Sequence, residues 1–205
     1  MEKDYLKYYK PNFLIGLVIA AFVIVYFTKE YFVLSISIFG VVTLLISVIT
    51  KYLWKYAPFK WLFWVDDFSG RYEGKLVYQY IDDSGNTKFG ELDHYKEISQ
   101  TGNKITVSSF TKKGDGTKSS VSVNKGMYVE TTEDDQHYRL IYSYQNDGST
   151  QQGFHRHYGT EVIKFVKNSN SKELHGGYFT DRSPYQTKGE FKDLKWVGNN
   201  KGHEF

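Results

Sequence analysis

The sequence contains no cysteine, so disulfide scaffolds, thiolate metal sites and thiol nucleophiles are all excluded. Proline is scarce, with 3 residues in 205, whereas glycine occurs 18 times. A chain that is rich in β-strands typically uses little proline and joins its strands by tight Gly, Asn and Asp turns. The composition therefore favours strands and short turns over proline-rich linkers.

Charge is missing from two long stretches near the N-terminus, residues 11–28 and 31–50. A helix that crosses a membrane needs about 20 predominantly apolar residues, and both stretches approach or reach that length. Only Lys29 and Glu30 separate them. This arrangement predicts a two-helix transmembrane hairpin, with helices at about residues 11–28 and 31–54.

The lysines that flank the two stretches predict the orientation of the hairpin. One end carries a single lysine beside a glutamate, whereas the end with the chain termini carries Lys7, Lys10, Lys51 and Lys55. By the positive-inside rule, both termini and the domain that follows are expected in the cytoplasm. A cleaved signal peptide is the alternative, but the first apolar run ends in Tyr-Phe-Thr-Lys rather than in a small-residue cleavage site.

Neither of the stretches 11–28 and 31–50 contains Asp, Glu, His, Lys or Arg, so a proton relay or an ion path is not expected. Small residues recur at helical spacing, and small residues allow helices to approach closely in lipid. They could pack the hairpin itself or pack neighbouring copies of the chain, and the sequence leaves both alternatives open. The residues singled out within the membrane are Phe13, Gly16, Ala20, Ser37, Gly40, Thr43 and Ser47.

The chain changes character after the apolar region and becomes a series of short alternating runs separated by turn signals. Such spacing predicts an all-β domain, an antiparallel barrel of about eight strands. A barrel of this size holds side chains or one small ligand. We expect a hairpin with an interfacial linker over residues 1–65 and the barrel over residues 66–205. The predicted strands lie near residues 72–80, 88–100, 104–110, 120–123, 127–132, 137–144, 160–166, 174–180 and 189–197.

The net charge of +3 arises from the membrane region, because residues 1–60 hold seven lysines and three acidic residues. The remainder of the chain is nearly neutral. Without an overall basic field, the barrel is not expected to bind a DNA or RNA duplex.

Catalytic signatures are missing from the sequence. There is no GxSxG or HExxH motif, and the run GRYEGKL over residues 70–76 lacks the spacing and the Ser or Thr of a P-loop. His155 and His157 would share one face of a strand, but further metal ligands are not evident. We therefore expect neither an enzyme nor a bound metal or other cofactor.

A ligand-binding function is better supported, because arginine and tyrosine residues concentrate in the last third of the chain. Aromatic rings stack on nucleobases, and arginine pairs bidentately with phosphate. Tyrosine is also a favoured strand residue, so some of these side chains could simply pack. The candidate ligand-binding residues are Arg139, Tyr142, Tyr144, Arg156, His157, Tyr158, Tyr178 and Arg182.

Three segments of this region carry short motifs: YQNDG (144–148), HYGTEVIKF (157–165) and LHGGYFTDRSPYQTKGEF (174–191). Together with the hairpin and the β-rich domain, they resemble the two-transmembrane, β-strand-rich effectors associated with bacterial cGAS/DncV-like nucleotidyltransferases in CBASS anti-phage defence. The positions that match the family pattern are Asn146, His157, Gly159, Thr160, Leu174, Gly176, Tyr178, Arg182 and Gly189.

The resemblance implies a receptor in the bacterial inner membrane, with several spans and a cytoplasmic barrel. The barrel would bind a cyclic dinucleotide or cyclic oligonucleotide that a functionally linked nucleotidyltransferase makes during infection. Binding would drive homo-oligomerisation, and the hairpins would then disrupt the lipid bilayer and cause cell death.

Two other functions fit the same architecture. The barrel could bind an apolar ligand or a protein partner without nucleotide signalling, and a dry, fully apolar interior would favour that alternative. A membrane-bound hydrolase would need an acid/base or metal site that the sequence does not display. A charged and aromatic barrel mouth would favour the nucleotide.

Overall fold

The computed structural model of the chain describes residues 5–28, 38–82, 84–148, 155–169, 171–181, 186–199 and 202. The chain divides into two compact units. The first comprises residues 1–67 together with residues 100–104, and the second comprises residues 68–99 and 105–205.

The first unit is helical. Helix α1 covers Pro11–Thr28, as predicted, and is long and apolar enough to cross a membrane by length and composition. Helix α2 covers Ile38–Val48 and continues as a π-helical turn over Ile49–Leu53, and a short 3-10 turn follows at Phe59–Leu62. The predicted hairpin turn, and Ser37 with it, lie outside the described residues.

The end of α2 is held by a buried polar and aromatic cluster. The Tyr9 hydroxyl lies 2.7 Å from Thr50 Oγ1, and the Gly102 amide donates to the Thr50 carbonyl oxygen at 2.8 Å. A Cβ atom at residue 102 would lie only 2.6 Å from the Phe63 ring, so glycine is needed for this close approach. Tyr9 and Phe63 also pack together, with ring centroids 4.3 Å apart.

The helices contact each other through Phe22 and Phe39, whose rings meet edge to face at 6.0 Å. Gly16 does not take part, because a Cβ atom there would meet nothing within 4 Å among the described residues. The Ser47 hydroxyl donates to the Thr43 carbonyl oxygen at 2.7 Å, which satisfies it within the helix. Among the remaining small residues, Ala20 and Gly40 are exposed.

The described residues of the second unit form nine antiparallel strands. Their residues alternate between buried and exposed positions, which is the period expected for strands with one face on a core. Every predicted strand has a counterpart in the structure. The strands are β1 Gly70–Ile81, β2 Thr87–Gln100, β3 Ile105–Lys112, β4 Lys118–Asn124, β5 Tyr128–Thr131, β6 Tyr138–Asn146, β7 His157–Lys167, β8 Lys172–Thr180 and β9 Lys188–Gly198.

Eight of the strands form a closed antiparallel barrel, which confirms the predicted fold of this unit. The order around it is β4-β3-β2-β1-β9-β8-β7-β6, and pairing of β4 with β6 closes the ring. That closing seam is short, since only residues 122–124 pair with residues 144–146. Next to this seam, the Asn124 side chain accepts a hydrogen bond from the Val107 amide at 2.9 Å and donates one to the Ile105 carbonyl oxygen. Strand β5 pairs with the first half of β6.

The two halves of the barrel interior differ in character. At one end the interior is filled by apolar and aromatic side chains that are at most 3 % exposed: Phe68, Tyr72, Ile98, Ile105, Val107, Leu140, Ile163, Phe165, Leu174 and Leu194. The opposite end is the open end of the barrel. There β1, β3, β6 and β8 end and β2, β4, β7 and β9 begin. The packed half supplies the hydrophobic burial that stabilises the barrel.

The packed half yields a stability prediction. Phe165 is 1 % exposed and meets the Phe68 ring at 4.8 Å, so we expect Phe165→Ala to lower the free energy of unfolding by about 3–5 kcal/mol. Phe179→Ala is the matched control, because Phe179 is 55 % exposed and its loss should cost less than about 1 kcal/mol. Urea unfolding of the full chain in detergent measures both, and equal losses would contradict this assignment of the core.

Candidate ligand-binding site

A cavity of about 790 Å³ occupies the open half of the barrel. This volume lies within the range of small-molecule sites. Its wall combines aromatic rings, hydroxyl groups and a few ionisable side chains. The lining residues that matter below are Tyr78, His94, Lys113, Ser119, Ser120, Tyr144, His157, Glu161, Tyr178, Thr180, Thr187 and Phe191.

A buried polar layer separates the cavity from the packed half. Lys96 and Glu161 form an ion pair with Nζ and Oε2 2.6 Å apart, and their side chains are 0 % and 5 % exposed. Lys96 also donates to Ser109 Oγ at 2.8 Å, and Tyr142 donates to Glu161 Oε2 at 2.5 Å. A buried charge pair is stabilised by hydrogen bonds to its remaining groups, and this network gives the Lys96 ammonium one such bond, to Ser109, and the Glu161 carboxylate one, from Tyr142.

Burial sets the protonation of this layer. Burial raises the pKa of Tyr142 well above its usual range, and the neighbouring Glu161 carboxylate adds to the effect, so Tyr142 stays a phenol that donates. Burial also lowers the pKa of Lys96, and the Glu161 carboxylate opposes that shift. The ammonium therefore depends on its carboxylate partner.

His94 lies two residues before Lys96 on the same face of β2. Its Nδ1 is 3.1 Å from Thr111 Oγ1, and its ring stacks on Phe191 with centroids 5.0 Å apart. Burial, with a smaller contribution from the charge of Lys96, holds the pKa of His94 well below its usual range. His94 is therefore a neutral imidazole, and its Nε2 is buried with no hydrogen-bond partner among the described residues.

Three cavity tyrosines lie flat against the wall because each covers a glycine on the adjacent strand. The register places Tyr144 opposite Gly159, Tyr178 opposite Gly189 and Tyr78 opposite Gly90. At each of these glycines a Cβ atom would overlap the tyrosine ring. Glycine on one strand thus leaves room for an aromatic ring from the next, and all three rings line the cavity.

The remaining lining is rich in hydroxyl groups. Thr180 at the end of β8 and Thr187 just before β9 have their Oγ1 atoms 3.0 Å apart. Ser119 and Ser120 line the cavity from the start of β4, and Lys113 lines it just after the end of β3. Hydroxyl groups both donate and accept hydrogen bonds, so this rim suits sugar and phosphate oxygens.

The predicted ligand-binding residues fall into distinct places. Tyr144, Tyr178 and His157 line the cavity, and Tyr142 lies in the polar layer beneath it. Arg156 is exposed just before β7, with its Nη2 3.6 Å from Asp147 Oδ1. Arg182 lies outside the described residues.

Two of the predicted residues lie on the outer wall of the barrel. Arg139 is paired there with Glu130 at 2.5 Å, and Tyr158 is 53 % exposed. The expectation that His155 and His157 share a strand face is also corrected, because β7 begins at His157. No cluster of three or more potential metal ligands occurs among the described residues.

Apart from Tyr142, the residues of the polar layer were not predicted from the sequence, and neither was most of the cavity wall. The residues not singled out include three that line the cavity, His94, Glu161 and Phe191, and Lys96, which pairs with Glu161 beneath it. One signal could have identified Lys96: it lies two residues before the core residue Ile98, so both side chains point to the same face of β2. This signal was weak because polar residues occur on both faces of that part of the strand.

These features define a class of protein: a closed β-barrel with a polar and aromatic cavity of the size of a small-molecule site. A family model described as the Cap15 cyclic dinucleotide receptor domain matches residues 63–195. Since this covers more than half of the chain, the protein belongs to the Cap15 cyclic dinucleotide receptor family. The match supports the resemblance to CBASS effectors and a cyclic nucleotide as the ligand. No curated protein and no solved structure matches the chain.

The buried imidazole predicts a pH dependence of stability. Because the pKa of His94 is lower in the folded chain than the unperturbed value of about 6.5, the unfolded chain binds more protons below that pH. The stabilisation is therefore complete above about pH 6.5 and is lost as the pH falls, by up to about 1.4 kcal/mol per pH unit.

Urea unfolding of the full chain between about pH 7.5 and pH 5 measures this slope. His94→Phe should flatten it, whereas the exposed His155→Gln should leave it as in the parent chain. An unchanged slope in His94→Phe would show that other groups cause the dependence.

The glycine beneath Tyr78 provides a test of the cavity wall. In Gly90→Ala the new Cβ would lie 2.6 Å from Tyr78 Cε1 and would force the end of this flexible side chain into the cavity. We expect cyclic dinucleotide affinity to fall about 5- to 150-fold, the range for losing one stacked base. Calorimetric titration measures the affinity. Gly126→Ala, with nothing within 4 Å of its Cβ position, is the control, and equal affinities would exclude Tyr78 as a stacking surface.

Proposed function

We propose that this protein is a membrane-anchored receptor whose barrel binds a cyclic dinucleotide in the cavity at the open end. The observation that carries the proposal is the composition of that cavity. Flat tyrosine rings suit nucleobases, hydroxyl groups suit ribose and phosphate, and Lys113 offers a cation at the rim. A polar layer with a charged pair is unsuited to a purely apolar ligand, which disfavours the alternative of a lipid-binding barrel.

The proposal makes the protein a receptor rather than an enzyme, with no cofactor. Its output would be a change in assembly. A ligand shifts an equilibrium only by its differential affinity for the two states, so the cyclic dinucleotide would have to bind the assembled form more tightly than the single chain.

The membrane region would execute the response. We infer that α1 and the second apolar segment form a transmembrane hairpin in the bacterial inner membrane, with both termini and the barrel in the cytoplasm. Gly16 and Ala20 lie on an exposed side of α1, where small residues permit close contact with another copy of the helix. Ligand-driven homo-oligomerisation would then disrupt the bilayer of the infected cell.

Calorimetric titration of the full chain in detergent tests the receptor function. The panel contains cyclic di- and trinucleotides with 3′–5′ and mixed 2′–5′ linkages, and the matching linear dinucleotides serve as controls. We expect tight and selective binding of one cyclic member. Absence of binding by every member would contradict the proposal.

Two variants locate the ligand in the same titration. Tyr178→Ala removes a ring that lines the cavity and should weaken binding, whereas Arg139→Ala changes the outer wall and should not. The opposite result would place the ligand outside the barrel. Dye release from phosphatidylethanolamine and phosphatidylglycerol vesicles carrying the protein then tests the membrane step, and we expect release only with the bound member of the panel.

A further inference from the structure

Glu161, on the floor of the cavity, is an ionisable group with an unused acceptor atom. Glu161 lines the cavity, and its Oε2 atom receives hydrogen bonds from both Lys96 Nζ at 2.6 Å and the Tyr142 hydroxyl at 2.5 Å. Its Oε1 atom takes no hydrogen bond from the residues that the structure describes. This atom is not fully buried, so it is accessible from the cavity. The carboxylate is thus held from behind and presents Oε1 to the cavity.

The chemistry of this group restricts what can lie on the floor. An ionised carboxylate only accepts hydrogen bonds, and phosphate oxygens are also acceptors with negative charge. A phosphate on the floor would therefore meet a like charge on a side chain that is only 5 % exposed, where repulsion is weakly screened. An amino group of a nucleobase is a donor and suits this position.

The neighbouring side chains favour a flat ring beside Glu161. The register places Tyr178 directly opposite Glu161 on the adjacent strand. The Tyr178 and Phe191 rings follow each other along the wall, with centroids 6.3 Å apart. A base inserted between these rings and the carboxylate would be stacked and hydrogen-bonded at once, as in other nucleotide sites.

We propose that Glu161 is a specificity-determining residue that reads the exocyclic amino group of one nucleobase of the ligand. This inference rests on the proposed function. The ligand enters with one base first, and its phosphates stay near the rim at Lys113, Ser119 and Ser120. Adenine and cytosine present amino donors, whereas hypoxanthine and uracil present carbonyl oxygens at the corresponding positions.

Matched ligand pairs test the preference in the parent chain. Cyclic di-CMP and cyclic di-UMP, and likewise cyclic di-AMP and cyclic di-IMP, differ by an exocyclic amino group in place of a carbonyl oxygen and by the proton on the adjacent ring nitrogen. We expect the amino-bearing member of at least one pair to bind roughly 10- to 100-fold more tightly, the range for one hydrogen bond to a charged group.

Glu161→Gln gives a sharper test, because the two donors behind the side chain fix the orientation of the new amide. Lys96 and Tyr142 both donate, so they should hold the amide oxygen and turn the amide NH₂ toward the cavity. The floor then donates instead of accepting. We expect the preference to shift toward the carbonyl-bearing member of the same pair.

Three further variants separate this role from a structural one. Tyr142→Phe keeps the carboxylate and should keep the parent preference, even if affinity changes. Glu190→Gln makes the same change at an exposed position on β9 and should leave both affinity and preference unaltered. If Glu161→Gln does not fold, the double variant Glu161→Gln/Lys96→Met removes the unpaired ammonium and is expected to show the same shift.

The outcomes distinguish the two proposals. Binding without discrimination within either pair, or an unchanged preference in the folded Glu161→Gln chain, would overturn the role of Glu161 and leave the receptor function intact. Failure of every cyclic dinucleotide to bind the parent chain would overturn the receptor function and this inference with it.

Discussion

The hydrogen-bonded ion pair between Lys96 and Glu161 determines how the barrel interior is divided. The pair joins β2 to β7, strands that are separated by three others in each direction around the ring, so it spans the lumen. On one side the lumen is filled by apolar side chains, and on the other it is hollow. A barrel that needed only stability could fill this layer with apolar residues at little cost or with a gain. The pair therefore points to a functional requirement at that depth.

The fold could be predicted from the sequence because its signals are local and repeated. Strand alternation and Gly or Asn turns recur across the β-rich region, and each strand they predicted is present. The first apolar helix was equally evident, since Pro11–Thr28 contains no charge. The exact strand count was less accessible, because β5 continues the path of β4 along β6 instead of adding a ninth position to the ring.

The site was harder to predict because it depends on contacts across the barrel. Nothing local in the sequence indicates that Lys96 reaches Glu161, 65 positions further along the chain. The tyrosines were recognised by residue type, but their flat orientation depends on glycines that face them from other strands, as Gly159 faces Tyr144. Residue type also suggested Arg139, which the parity of β6 places on the outer wall, paired with Glu130.

Membership of a cyclic dinucleotide receptor family indicates the class of ligand. The Glu161 carboxylate on the floor of the cavity restricts how such a ligand would be oriented. A symmetric ligand that meets a single carboxylate can place only one of its two bases there. The second base and the phosphates would then lie toward the open end, where Lys113 and the β4 serines line the cavity. That exposed half of the ligand would be available to a second copy of the chain. Contacts of this kind would provide the differential affinity that the proposed ligand-driven assembly requires.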